Sequence, residues 1–132
     1  MNTPKYSLLL VDDQEEHLEV YSLLFEKWGY LVTSLSSGAD VLETISNKHF
    51  DILVIDIQLP QFSGIDVIKQ IRSDPHFDSL PIMALTASQS DREDEIVAAG
   101  ATCFCQKSND TIELRRRMSE ALSYSQGGKA KA

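Results

Sequence analysis

A chain of 132 residues with 12 Lys+Arg against 20 Asp+Glu carries a formal net charge of −8. That is the length of one domain and the wrong sign for a general nucleic-acid binder, which neutralises phosphates with a basic face. The 42% apolar fraction supports a packed core and excludes disorder of the whole chain.

Residues 6–11 predict a first strand, and residues 15–28 a helix with Leu18, Tyr21, Leu24, Phe25 and Trp28 on one face. Gly29 is its natural stop. Residues 31–35 predict a second strand, and residues 39–46 a second helix with Val41, Leu42 and Ile45 inward. Residues 52–55 read as a third strand. Residues 64–73 read as a third helix, closed by Asp74-Pro75 because a residue before proline avoids the helical region. A fourth strand at 82–85, a helix at 91–99 stopped by Gly100, a fifth strand at 103–105 and a helix at 110–124 complete the series. The last helix turns Leu114, Met118, Ala121 and Leu122 inward, and the small polar segment after it reads as a tail. The expected organisation is therefore one domain over 1–124 and a disordered tail over 125–132.

The third and fourth strands are continuous apolar runs, the pattern of strands buried on both faces. Five strand–helix units predict a parallel sheet covered by helices on both sides. Right-handed crossovers prune the topologies. The flavodoxin-like (βα)5 doubly wound α/β fold, strand order 2-1-3-4-5, is the expected solution.

Cys103 and Cys105 lie two positions apart and form neither a zinc set, a CxxC pair nor a disulfide framework; they read as packing residues in a reducing compartment. The apolar run ending in Asp12-Asp13 is too short for a signal-peptide core. No stretch approaches the ~18 apolar residues of a membrane span. A cytoplasmic protein is expected, with no membrane and no direct nucleic-acid partner.

Open parallel sheets bind ligands beyond the carboxyl ends of their strands. Asp12 and Asp13 follow the first strand, Asp56 the third, Thr86 the fourth and Lys107 the fifth. Singly, each has a plain reading: Asp12 or Asp13 as a helix cap, Asp56 and Thr86 as turn residues, Lys107 as a solvated charge. Together they place three carboxylates, a hydroxyl and an ammonium on one edge. Two like charges ~4 Å apart repel by about 4 kcal/mol at an effective dielectric of ~20, so the cluster calls for a cation or protonation. Oxygen donors at an exposed edge suit Mg2+. A carboxylate nucleophile with a metal, a lysine and a hydroxyl describes a phosphoryl-accepting site.

The segments LLVDD (9–13), VIDIQLPQFSG (54–64), ALTA (84–87) and GATCFCQKS (100–108) resemble, in order and spacing, the receiver domain of two-component response regulators. The likeness is to single-domain receivers similar to the chemotaxis response regulator and covers residues 5 to about 124. The resemblance implies Asp56 as phosphoacceptor. It implies Mg2+ held by Asp13, Asp56 and the backbone carbonyl of Gln58, with Asp12 acting through water. Lys107 would contact the phosphoryl oxygens, Thr86 would be the switch hydroxyl and Phe104 the switch aromatic. The implied phosphodonor is a histidine kinase or phosphotransfer protein. The implied output is a downstream protein bound through the fourth helix, fifth strand and fifth helix, and the implied state is a monomer or weak homodimer. Such a domain catalyses only its own phosphorylation and dephosphorylation and is not otherwise an enzyme. Since the receiver takes up nearly the whole chain, output is expected to pass through its own surface.

Two positions depart from the family pattern. Ser108 follows Lys107 where proline is usual; a cis bond there would cost about 3–4 kcal/mol, so trans is expected. Phe104 stands where Tyr is common and removes a phenolic hydrogen bond from any output contact. Arg115-Arg116-Arg117 spreads around a helix rather than forming a stripe and reads as a solvated or partner-facing surface. His17, His49 and His76 show no metal spacing among themselves and read as surface residues. Three other classes compete. A phosphohydrolase of the haloacid dehalogenase type needs DxD, whereas Ile57-Gln58 follow Asp56. A nucleotide or flavin binder on this fold lacks any GxGxxG or GxxxxGK[ST] after the first strand. A docking domain with a decayed site conflicts with the intact acid set.

Overall fold

Strand and helix alternate along the chain as β1 (Ser7–Val11), α1 (Glu15–Lys27), β2 (Leu31–Leu35), α2 (Val41–Asn47), β3 (Ile52–Asp56), α3 (Gly64–Arg72), β4 (Ile82–Thr86), α4 (Glu93–Ala99), β5 (Cys103–Gln106) and α5 (Thr111–Lys131). The computed structural model describes residues 5–59, 63–87, 92–107 and 110–131, with side chains of the last helix to residue 123. Pro60, Asp91 and Ser108, and with Ser108 the expected trans bond, lie outside the described residues.

All four strand pairings are parallel and the order is β2-β1-β3-β4-β5, the expected flavodoxin-like arrangement. β3 and β4 are buried at every position, because both faces of the sheet are covered. Successive side chains alternate between the faces. Leu9, Val11, Leu53, Ile55, Ile82 and Ala84 pack under α2, α3 and α4 with Val41, Ile65, Ile68, Ile71 and Ile96. Leu8, Leu10, Ile52, Val54, Met83 and Leu85 pack under α1 and α5 with Phe25, Leu114, Met118 and Ala121. Cys105 is buried and Cys103 half-buried against the same layer, as packing residues should be.

Element ends differ from expectation by a few residues. α1 stops at Lys27, with Trp28 as its cap and Gly29 in the left-handed region at φ +100°. A 3-10 turn at Gly38–Asp40 precedes α2, where the Ser37 hydroxyl accepts the Ala39 N–H at 3.1 Å. The backbone of α5 stays helical to Lys131, into the segment expected to be a disordered tail. The turns packed through Leu114, Met118, Ala121 and Leu122 nucleate the helix, and each further residue then adds at small cost.

Arg72 fastens the loops on the α3–α4 side. Its guanidinium donates to the carbonyls of Gly100 at 2.8 Å, Phe77 at 2.6 Å and Leu80 at 2.7 Å. One side chain thus closes the C-terminal ends of α3 and α4 and the approach to β4. Among the described residues no helix is long and apolar enough to cross a membrane.

Candidate functional site

Parallel strands end together, so the residues following β1, β3, β4 and β5 meet at one edge of the sheet. Asp12 follows β1 and is fully buried; its N–H donates to the Leu35 carbonyl at 3.1 Å, and its Oδ1 accepts the Gln14 N–H at 3.0 Å. Asp56 closes β3, is 2% exposed, and its Oδ1 accepts the Gln58 N–H at 2.9 Å. Asp13 lies on the solvent side of the pair, and carboxylate oxygens of Asp12, Asp13 and Asp56 all fall within 4.8 Å of one another. Thr86, the last residue of β4, is 6% exposed, and its carbonyl accepts the Lys107 N–H at 2.7 Å.

That backbone bond fixes where the Lys107 side chain starts. Its ammonium reaches across the sheet end and donates to Asp12 Oδ2 at 2.7 Å and Asp56 Oδ2 at 3.0 Å. The three expected carboxylates and the lysine are thus brought together, and the strand register sets Thr86 at the same sheet end. Burial pushes the Asp56 carboxyl above its ordinary range, more than the Gln58 N–H and the Lys107 ammonium pull it down. Burial pulls Lys107 down, but its hydrogen bonds to Asp12 and Asp56, with their charges, outweigh that and raise it. The lysine therefore stays charged as an internal counter-ion, while Asp56 sits in a setting that favours charge removal.

Phe104 lies on β5, half-buried against the α3–α4 layer. The Arg117 guanidinium stands 6.0 Å from its ring centroid, at the outer limit of a cation–π contact. The arginine run is more engaged than a solvated surface. Arg115 covers the Trp28 ring, and Arg116 and Arg117 both pair with Glu113 at 2.8 Å. Gln58 turns its side chain to solvent.

His17 is the residue the sequence reading placed wrongly. It is not a bystander on the surface: its Nδ1 lies 2.9 Å from Lys107 Nζ and 3.2 Å from Asp12 Oδ2. Spacing compared only among the three histidines missed it. His17 is the third residue of α1, and the helix start turns it back to Asp12, which precedes the helix. His49 and His76 lie at the opposite end of the sheet, on an open cleft of about 560 Å3 that includes Tyr6, Phe50 and Pro81.

The fold, the strand order and the acid pocket at the carboxyl edge coincide with a family model. Residues 8–119 match the response regulator receiver domain. The chain belongs to that family. A transcriptional regulatory protein, ZraR of Klebsiella oxytoca, is 32% identical to this receiver over 126 residues. The match takes in 94% of this chain and 28% of ZraR, so the receiver spans about a quarter of that relative's length. A putative response regulator from Chloroflexus aurantiacus superposes with a TM-score of 0.86 at 30% identity, covering 91% of this chain and 99% of that one. The response regulator TrrA of Thermotoga maritima, in complex with Mg2+ and BeF, superposes with a TM-score of 0.80 at 26% identity, covering 88% and 98%. The receiver is thus a two-component signalling domain with a general part in phosphorelay.

Proposed function

We propose that Asp56 accepts a phosphoryl group from the phosphohistidine of a histidine kinase or phosphotransfer protein, and that the receiver then changes the face it offers a downstream protein. One observation carries the reading: the ammonium of Lys107 bridges Asp56 and Asp12 at the open end of the sheet. An Asp56 oxygen attacks phosphorus, the P–N bond to the donor imidazole breaks, and the departing ring keeps the electron pair and takes a proton. Lys107 receives the transferred oxygens and offsets their charge. Gln58 N–H holds the second Asp56 oxygen in place.

The donor set fits a divalent cation. Oxygens of the three carboxylates lie within 4.8 Å of one another, and two of the acids already hold one positive charge, the lysine's. Asp13, Asp56 and the Gln58 carbonyl would hold Mg2+, with Asp12 acting through water. Bound there, Mg2+ supplies neutralisation of the charge that develops on the phosphoryl oxygens. Thr86 sits beside the acceptor, and its hydroxyl turns toward the new phosphoryl oxygens. Phe104 then moves inward and reshapes the face formed by α4, β5 and α5 for its protein partner.

The test is acetyl phosphate with Mg2+, read by intact-protein mass. Wild type gains one phosphoryl group and Asp56→Asn gains none. No uptake by wild type, or equal uptake by the variant, overturns the reading. Beryllofluoride-dependent capture of a partner, lost in Thr86→Ala, tests the switch.

A further inference from the structure

Lys107 Nζ stands 2.7 Å from Asp12 Oδ2, 2.9 Å from His17 Nδ1 and 3.0 Å from Asp56 Oδ2. An ammonium has three donors and no acceptor, so each of its protons meets one of these atoms. His17 Nδ1 also lies 3.2 Å from Asp12 Oδ2, but one nitrogen cannot donate to the acid and accept from the lysine at once. A proton on Nδ1 would face the ammonium across the shorter of the two distances. Nδ1 therefore turns its lone pair to Lys107, and the neutral ring keeps its proton on Nε2. The ring is held independently of the lysine. It meets the edge of Tyr21 at 6.5 Å, and Tyr21 is stacked on buried Phe25 at 5.7 Å. The ammonium, by contrast, rides on a flexible four-carbon stem, rooted at the Thr86 carbonyl. Of its three partners, His17 alone comes from a helix and alone carries no charge.

We propose that His17 is a positioning residue for phosphoryl transfer, which holds the Lys107 ammonium over Asp56 by accepting one of its hydrogen bonds. The inference deepens the proposed function and rests on it for Asp56 as the acceptor. The Gln58 N–H occupies Asp56 Oδ1, which leaves Oδ2, the oxygen Lys107 holds, to attack phosphorus. The lysine N–H on Oδ2 must then swing to a phosphoryl oxygen, while those on Asp12 and His17 stay where they are. Two retained hydrogen bonds fix the ammonium in place through that exchange. Asp12 alone would leave it to turn about a single contact. A third carboxylate in the place of His17 would hold the ammonium as well, but it would cancel the charge that Lys107 has to offer the phosphoryl oxygens. A neutral nitrogen orients the cation and leaves that charge available.

The experiment times phosphoryl uptake by the full chain from acetyl phosphate with Mg2+, read by intact-protein mass. Wild type is compared with His17→Leu, His17→Asn, Lys107→Ala and the Lys107→Ala, His17→Leu pair, each checked for folding by circular dichroism; His17→Ala replaces His17→Leu if the latter fails to fold. His17→Leu should slow uptake about tenfold, the scale of one hydrogen bond to a charged group. His17→Asn carries an acceptor oxygen on Cγ, where histidine carries Nδ1, and should recover most of the rate. With Lys107 already replaced, His17→Leu should change the rate less than about twofold, since nothing is left to position. Nuclear magnetic resonance of the Lys107 ammonium gives a readout that needs no phosphorylation. Its proton signal should be visible in wild type, lost to solvent exchange in His17→Leu and restored in His17→Asn. A wild-type rate in His17→Leu overturns the proposal, and so does an Asn variant as slow as the Leu one. Equal slowing with and without Lys107 also overturns it, because His17 would then act through Asp12 or the fold. The two readings fail separately. A wild type that takes up no phosphoryl group, yet loses the ammonium signal in His17→Leu, refutes only the proposed function. A phosphorylated protein whose ammonium signal is indifferent to His17 refutes only the positioning role.

Discussion

Gly64→Ala should be costly out of proportion to a single methyl group. Gly64 opens α3, and its N–H donates to the Ile57 carbonyl at 2.7 Å. A Cβ there would lie 2.8 Å from Ile57 Cα and closer still to the Asp56 carbonyl oxygen. Both are backbone atoms, so no rotamer relieves the overlap. Ordinary contact begins at 3.4 Å, and the start of α3 must therefore shift by at least about 0.6 Å. Ile65, Ile68 and Ile71 are buried in the layer below and resist that shift, as overpacked cores do at about 1–3 kcal/mol. Lengthening the Gly64–Ile57 hydrogen bond adds about 1 kcal/mol, and better helix propensity returns less than that in a first turn. The net loss is about 2–3 kcal/mol. At ~2.1 cal/mol/K of unfolding entropy per residue, 1 kcal/mol is about 3.6 °C for a chain of this length, so Tm should fall by about 7–11 °C. Thermal and urea unfolding followed by Trp28 fluorescence measure it. Gly29→Ala is the control: φ is +100° but nothing lies within 4 Å of its Cβ, so only a backbone penalty of about 1–2 kcal/mol remains. A Gly64→Ala variant within about 2 °C of wild type, or less harmed than Gly29→Ala, would refute the reasoning.

Arg72→Met should lower stability by about 3 kcal/mol, since hydrogen bonds from a charged group are worth roughly 1.5–3 kcal/mol each and the three carbonyls are partly recovered by water. Arg72→Lys should recover only part of the loss, because an ammonium cannot match the planar fork; urea denaturation giving less than about 1 kcal/mol for Arg72→Met would count against the clamp. Burial pushes the Cys103 thiol up to about 11. With the thiol raised, only about one molecule in 1000 carries the thiolate at pH 8. Iodoacetamide labelling of Cys103, mapped by peptide mass, should be slow there and rise about tenfold per pH unit to pH 10. Rapid labelling at pH 8 would show that the residue is not shielded as described.

The sheet was legible because burial on both faces leaves a plain mark. Ile52–Asp56 and Ile82–Thr86 carry almost nothing but apolar side chains, and no helix period competes with that reading. The site followed from topology, since a parallel sheet delivers Asp12, Asp56, Thr86 and Lys107 to the same edge without knowledge of any side-chain angle. His17 escaped because its contact with Lys107 spans 90 positions and depends on how far two long side chains reach. Arg72 escaped for a related reason. Its partners are backbone carbonyls, which every residue carries, so no pattern in the sequence announces them. The extension of α5 to Lys131 runs through Gly127 and Gly128, poor helix formers by local preference, so nothing in the sequence announced it.

The two halves of the acid pocket are not equally stiff. Asp56 ends a strand that is hydrogen-bonded on both sides, to β1 and to β4. Lys107 follows β5, which among the described residues is paired with β4 alone, at the margin of the sheet. Displacing Asp56 would break ladders on two flanks, whereas displacing Lys107 disturbs one. By this count of ladders the border strand is the cheaper one to displace when the pocket's charge changes, and the middle of the sheet the dearer. That strand also carries Phe104 and packs against α5. The compliance of one sheet margin gives an electrostatic event at Asp56 a mechanical outlet in one direction, toward the Phe104 side of the molecule.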